Sequence, residues 1–207
     1  MAQVTLNPSK DVHLTKTVPT VNQDSASLDV GEYNGNVGDI RRALLHFDLS
    51  SIPSGSTITV ATFRIYDSGD NLATNTRTMR AYRLLRAWGE TTATWNTTDG
   101  STSWGTVGAY NTTNDLEATD IGSVSMPGTE VAGYVDITLT ASKVQEWLNG
   151  TLANNGLLLG MDTELDDLHR FNSDEGANKP ELVITYTPPI LTKSIIKLQA
   201  VNRASTY

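Results

Sequence analysis

The run Arg42-Ala43-Leu44-Leu45-His46-Phe47-Asp48-Leu49 reads as a largely buried strand, and Ser50-Ser51-Ile52-Pro53-Ser54-Gly55 stops it where Pro53 and Gly55 force a turn. A second strand follows at once, Thr57-Ile58-Thr59-Val60-Ala61-Thr62-Phe63-Arg64-Ile65-Tyr66. Its alternation offers two faces, one carrying Ile58, Val60, Thr62, Arg64 and Tyr66, the other Thr59, Ala61, Phe63 and Ile65. The expected inward set is Ala61, Phe63 and Ile65. Asp67-Ser68-Gly69-Asp70-Asn71 reads as a turn, after which Arg77 to Leu84 resumes extended structure as a hairpin partner.

The same texture continues to the C-terminal third. Val135 to Leu139 reads as a strand; Thr140 as N-cap and Gly150 as stop bracket one short helix through Lys143-Val144-Gln145-Glu146-Trp147-Leu148, with Trp147 as its core anchor. Gly156 to Gly160 and Leu182 to Thr187 give two more strands before Pro188-Pro189. Between Trp88 and Gly133 lies a Thr-, Gly- and Asn-rich region holding three of the four tryptophans, too long for an inert connector. Short β-type runs separated by Gly, Asn, Asp, Ser and Pro clusters predict an all-β domain. The simplest partition is one domain over residues 1–188 and a C-terminal appendage over 189–207.

Composition narrows the function. A chain of 207 residues with 38% hydrophobic side chains can bury a core of its own. Fifteen Lys and Arg against 23 Asp and Glu give a net charge of -8, which repels phosphate backbones, so no nucleic-acid partner is expected. The absence of cysteine removes thiol catalysis, iron–sulfur clusters and cysteine-liganded zinc. No segment approaches 18 consecutive apolar residues, and Met1-Ala2-Gln3-Val4-Thr5 does not open an export signal, so membrane insertion is not expected.

Five blocks, taken in order, resemble the DNRLRE family, the β-sandwich modules of disaggregatase-related surface proteins and carbohydrate-binding modules. They are Arg42 to Leu49 with Ile52-Pro53-Ser54-Gly55; Trp88-Gly89-Glu90 with Ala93-Thr94-Trp95-Asn96; Asp136-Ile137-Thr138 with Val144 to Gly150; Asn155 to Leu159 with Phe171-Asn172-Ser173-Asp174-Glu175; and Lys179 to Tyr186. The resemblance covers about residues 10 to 188. It implies an antiparallel jelly-roll β-sandwich with one short helix and a non-catalytic binding or adhesive role.

Candidate sites fall into three groups. Aromatic rings stack on the apolar face of a pyranose, which makes Trp88, Trp95, Trp104 and Tyr110 candidate carbohydrate contacts. Trp88 and Trp95 belong to a framework block, whereas Trp104 and Tyr110 sit in a loop where exposed rings are expected. Calcium takes six to eight oxygen ligands, and Asp162, Glu164, Asp166 and Asp167 form one acidic cluster, Asp67, Asp70 and Asn71 another. Neither has EF-hand spacing, and solvated loops are the simpler reading. Sandwiches of the resembled kind carry a structural calcium near their paired terminal strands, which adds Asp11 and Asp136 as candidate ligands; no other cofactor is expected. The third group is the apolar tail, with Ile190, Leu191, Ile195, Ile196 and Leu198 read as an arm that docks on a neighbouring subunit.

Catalysis is not expected. Glu90, Asp48 and Glu175 have no partner that the sequence places, His13, His46 and His169 are scattered, and no GxSxG motif occurs. The expected role is a structural or adhesion protein of a larger assembly, above all a phage virion component such as a capsid decoration or tail-associated protein, forming homo-oligomers and touching cell-surface polysaccharide. It would lie on a virion surface or otherwise outside the cell. The alternative is a carbohydrate-binding module of a secreted polysaccharide-degrading enzyme.

Overall fold

The computed structural model describes residues 1–33, 38–70, 72–165 and 167–190. Among these residues, eleven strands and one helix run in the order β1 (Ala2–Leu6), β2 (Lys10–Thr15), β3 (Ser27–Glu32), β4 (Ile40–His46), β5 (Thr57–Asp67), β6 (Arg77–Arg83), β7 (Gly122–Met126), β8 (Gly133–Leu139), α1 (Ala141–Asn149), β9 (Leu157–Met161), β10 (His169–Asn172) and β11 (Glu181–Thr187). Every pairing between strands is antiparallel. Sheet A joins β1 to β11, β11 to β5, β5 to β8, and β10 to both β5 and β3. Sheet B joins β2 to β4, β4 to β9, β9 to β6 and β6 to β7, with β3 crossing over to meet the start of β4. The protein is an all-β sandwich with one short helix, as the sequence predicts.

Alternation assigns the faces. Ala61, Phe63 and Ile65 of β5 are fully buried, the inward set expected from the sequence, and they meet Leu28, Val30, Ile137, Leu182 and Ile184 in the main core. Sheet B contributes Ala43, Leu45, Met79, Ala81, Leu157 and Leu159 to the same core. Helix α1 closes the core with Val144 and Trp147 and ends at Gly150, whose φ of 70° is the left-handed conformation that glycine adopts without penalty.

The other face of sheet B is also buried. Val12, Leu14, Leu44 and Leu158 point away from the main core and would lie bare on an ordinary two-layer sandwich. The segment between Leu84 and Leu116 folds across them, supplying Trp88, Ala93, Trp95, Trp104 and Ala109 to a second core. This explains why β4 and β9 read as near-continuous apolar runs instead of alternating ones: both faces are covered. Gly156, at φ +88°, makes the entry to β9 feasible, because a Cβ there would stand 2.1 Å from the Leu45 carbonyl oxygen.

Among the described residues, sheet A keeps one face open. Thr62, Arg64 and Tyr66 of β5 lie in register with Thr138, Asp136 and Tyr134 of β8, opposite the buried set. Among the described residues, no helix is long and apolar enough to cross a membrane.

Candidate functional site

Two of the sequence-selected classes meet around one cation. Arg42 is buried, and its guanidinium lies 4.8 Å from the Trp95 ring centroid and 4.1 Å from that of Tyr110. It donates through Nε and Nη2 to the two Glu164 oxygens at 2.8 and 2.9 Å, and through Nη1 to the Gly108 carbonyl at 2.8 Å. Trp95, Tyr110 and Glu164 are thus brought together as a clamp that fastens the covering segment to β4. A stacked, bidentate arginine of this kind fixes geometry as well as supplying attraction.

The expectation that Trp104 stands exposed is corrected. It is 4% exposed, and its Nε1 donates to the Thr94 carbonyl at 2.9 Å. The reason is the second core: an apolar outer face on sheet B draws the ring inward however polar the neighbouring loop. Trp88 and Trp95 are buried too, and Trp88 is further capped by Lys10, whose Nζ lies 4.5 Å from the ring centroid and donates to the Trp88 carbonyl at 2.8 Å. Tyr110, half-buried, packs edge-on to Tyr82 at 6.2 Å. None of the three tryptophans has a ring face free for a sugar.

The acidic residues separate in the same way. Asp162 accepts from the Thr78 amide at 3.1 Å, and Asp167 accepts from the Glu32 amide and pairs with Arg77 at 3.0 Å. With Glu164 given to Arg42, these three hold strand ends and do not form one oxygen cage. Asp136 lies on the open face of sheet A, paired to Arg64 at 2.7 Å, on a different sheet from Asp11. Asp166, Asn71, Leu191, Ile195, Ile196 and Leu198 lie outside the described residues; Ile190 is described and is 88% exposed.

Asp11 does gain company. Strand β2 sits at the edge of sheet B and brings Asp11 beside Glu90, from the covering segment, and Asp174 and Glu175, just past β10. Ligand oxygens of Asp11, Asp174 and Glu175 lie within 4.8 Å of one another. The Asp11 amide donates to Glu90 Oε1 at 3.0 Å, and the Asp174 amide donates to Asp11 Oδ2 at 2.8 Å. Asp11 Oδ1 is buried with no hydrogen-bond partner. Burial first, then the charges of Asp174, Glu175 and Glu90, push the Asp11 carboxyl up to about 8, against the amide bond that favours its anion. Asp174 is pushed up to about 6 by burial and by Glu175, and Asp24 is raised by burial and the same glutamate. A set of oxygens that resists sharing charge, with one buried oxygen unsatisfied, has the donor chemistry of a calcium site. Glu90 and Glu175, unplaced by the sequence, find their place here; Asp174 was passed over because its partners are 163 and 84 residues away.

A second surface was missed altogether. On the open face of sheet A, Tyr66 and Tyr134 meet edge to face at 5.3 Å, and Arg64 lies 4.7 Å from the Tyr134 ring centroid. Arg64 Nε donates to Asp136 at 2.7 Å and its Nη1 reaches Glu181 at 3.5 Å. The Tyr134 hydroxyl donates to the Lys179 carbonyl at 3.3 Å. The alternation of β5 had placed Arg64 and Tyr66 on its polar side, but the register with Tyr134 needs β8 in hand. Where the end of β4 and the β4–β5 connection meet α1, His46, Asp48, Trp147 and Asn154 help line a groove of about 470 Å³, and His46 Nδ1 is held by the Ser9 hydroxyl at 2.6 Å.

A family model described as the disaggregatase related repeat domain matches residues 11–184, and no curated protein matches the chain. That span runs from Asp11 of β2 to β11 and takes in both sheets, the covering segment and the helix. The chain therefore belongs to the disaggregatase-related repeat family.

Proposed function

We propose that this chain is a non-enzymatic, jelly-roll structural and adhesion module displayed on a larger assembly, best fitted to a phage virion as a capsid decoration or tail-associated protein. The open face of sheet A carries this reading. It presents two tyrosines, an arginine fixed between carboxylates, and the threonines Thr62 and Thr138 on a rigid antiparallel ladder. Flat π surfaces beside hydroxyl and charged hydrogen-bonding groups suit a pyranose, whose faces are apolar and whose rim is polar. Asp136 and Glu181 disfavour uronic acids by like charge, which selects neutral cell-surface polysaccharide.

Calcium at Asp11, Glu90, Asp174 and Glu175 would clip the covering segment and the end of β10 to β2, a stabilising role away from the sugar face. The apolar tail beyond Pro189 supplies the contact to neighbouring copies, and the net charge of -8 keeps nucleic acid away. A carbohydrate-binding module of a secreted enzyme would use the same face; it differs in requiring no self-association.

Affinity electrophoresis through gels containing a neutral glucan, a xylan or a galactomannan tests the sugar reading. Retardation of the wild type in at least one gel, lost in Tyr134→Ala and reduced in Tyr66→Ala while both variants keep the wild-type circular dichroism, is the expected result. Equal migration of wild type and Tyr134→Ala in every gel removes the open face from the proposal.

A further inference from the structure

A second cluster of ligand-bearing side chains lies at the opposite chemical extreme from the Asp11 site, because it includes a nitrogen and is closed to solvent. Asp67 ends β5, His169 begins β10, and Glu130 comes from the connection between β7 and β8. They are 2%, 0% and 5% exposed, and each offers a ligand atom within 4.8 Å of the other two.

The hydrogen bonds leave a specific vacancy in valence. His169 Nδ1 lies 2.9 Å from Asp67 Oδ2, an acceptor, so in the neutral ring the proton sits on Nδ1 and Nε2 carries the lone pair. Nε2 is buried and has no partner. The other Asp67 oxygen accepts from the Gly69 amide at 2.8 Å. Glu130 Oε1 accepts from the amides of Leu72 and Ala73 at 2.7 and 2.6 Å, while Oε2 is buried and unpartnered. Nε2 and Oε2 are thus two buried acceptors without a donor, on residues whose ligand atoms lie within 4.8 Å of one another and of Asp67. The nearest arginine along the chain, Arg170, is committed to Asp29 at 2.9 Å and Asp70 at 3.2 Å.

We propose that Glu130 and His169, with Asp67 holding the imidazole, form a buried structural site for a divalent transition metal of the zinc type. A neutral imidazole nitrogen with carboxylate oxygens suits a borderline ion better than calcium, which prefers an all-oxygen shell. A carboxylate that accepts from Nδ1–H and directs Nε2 at the metal is the usual way to fix a ligating ring. The ion ties the end of β5, the β7–β8 connection and the start of β10 together, and through Glu130 Oε1 it reaches the β5–β6 connection as well. Burial of all three side chains makes it a staple, closed to substrate. The inference stands apart from the sugar face and from the Asp11 cluster.

The test uses the full chain in an Asp11→Asn background, in buffer holding millimolar calcium, so that oxygen-only sites do not count. The protein is stripped with dipicolinate, reloaded with zinc chloride, freed of excess metal by gel filtration, and measured for metal content and melting temperature. The expected result is one zinc per chain, a higher melting temperature than the stripped protein, and no zinc retained by His169→Gln or Glu130→Gln. Asp67→Asn, which weakens the hold on the ring, should lose about 10- to 100-fold in affinity. A folded chain that retains no zinc overturns the proposal whatever the variants do, as does retention in both His169→Gln and Glu130→Gln at the unsubstituted level.

Discussion

Asp11 shows how burying one carboxylate couples pH to the stability of the fold. Its carboxyl titrates near 8 in the folded chain and near 3.8 when unfolded, so between these values the folded state holds a proton that the unfolded state has lost. Metal-free stability therefore falls as pH rises through that window, by up to about 1.4 kcal/mol per unit, or roughly 3 °C. His13 and His46, both lowered chiefly by burial, act in the opposite sense below their ordinary value of 6.5. The difference between wild type and Asp11→Asn isolates the aspartate. In EDTA, the wild-type melting temperature should drop from pH 6 to 8 more steeply than that of the variant; excess calcium, which binds the ionised form, should flatten the wild-type slope. Parallel slopes for the two proteins in EDTA would refute the assignment. Only Asp11 itself was legible in the sequence, through the family resemblance, since its three companions come from segments 79 to 164 residues away.

At the scale of elements, the covering segment from Leu84 to Leu116 is the part of the fold that departs most from a plain sandwich. Its attachment depends on rings packed against Val12, Leu14, Leu44 and Leu158 and on the Arg42 clamp. Trp104→Ala should cost about 3–5 kcal/mol, read by urea unfolding, because the large cavity it leaves is bounded by a strand face that cannot move. A cost below 1 kcal/mol would mean that the segment is only loosely docked. The sequence marked this region as too long for an inert connector, without showing what it packs against, and β4, β5, β6, β8, β9, β11 and α1 were legible from their patterns and stops. It gave no strand at β2 or β3, where Asp11, His13, Asp29 and Glu32 interrupt the apolar pattern. Asp29 is buried there because Arg41 at 2.5 Å and Arg170 at 2.9 Å neutralise it, which only the folded chain displays. Gly122 to Met126 is small and weakly apolar, and the four-residue β10 is too short to show a period. For β5, by contrast, alternation offered two faces, and the expected inward set of Ala61, Phe63 and Ile65 is the buried one, while the charged Arg64 keeps the other face outward.

For the molecule as a whole, the described residues cover sheet B on both faces and sheet A on one, and the open face of sheet A is the surface proposed for recognition. The two proposed metal sites lie at different places around the sandwich, and neither includes a residue of that surface. The proposed display on an assembly needs a further contact, for which the sequence offers the apolar residues after Pro189. Sedimentation equilibrium of the full chain and of a chain ending at Pro188, at equal concentration and ionic strength, tests this most directly. The account predicts a defined oligomer for the full chain and a monomer for the shortened one; two monomers of chain mass would contradict it.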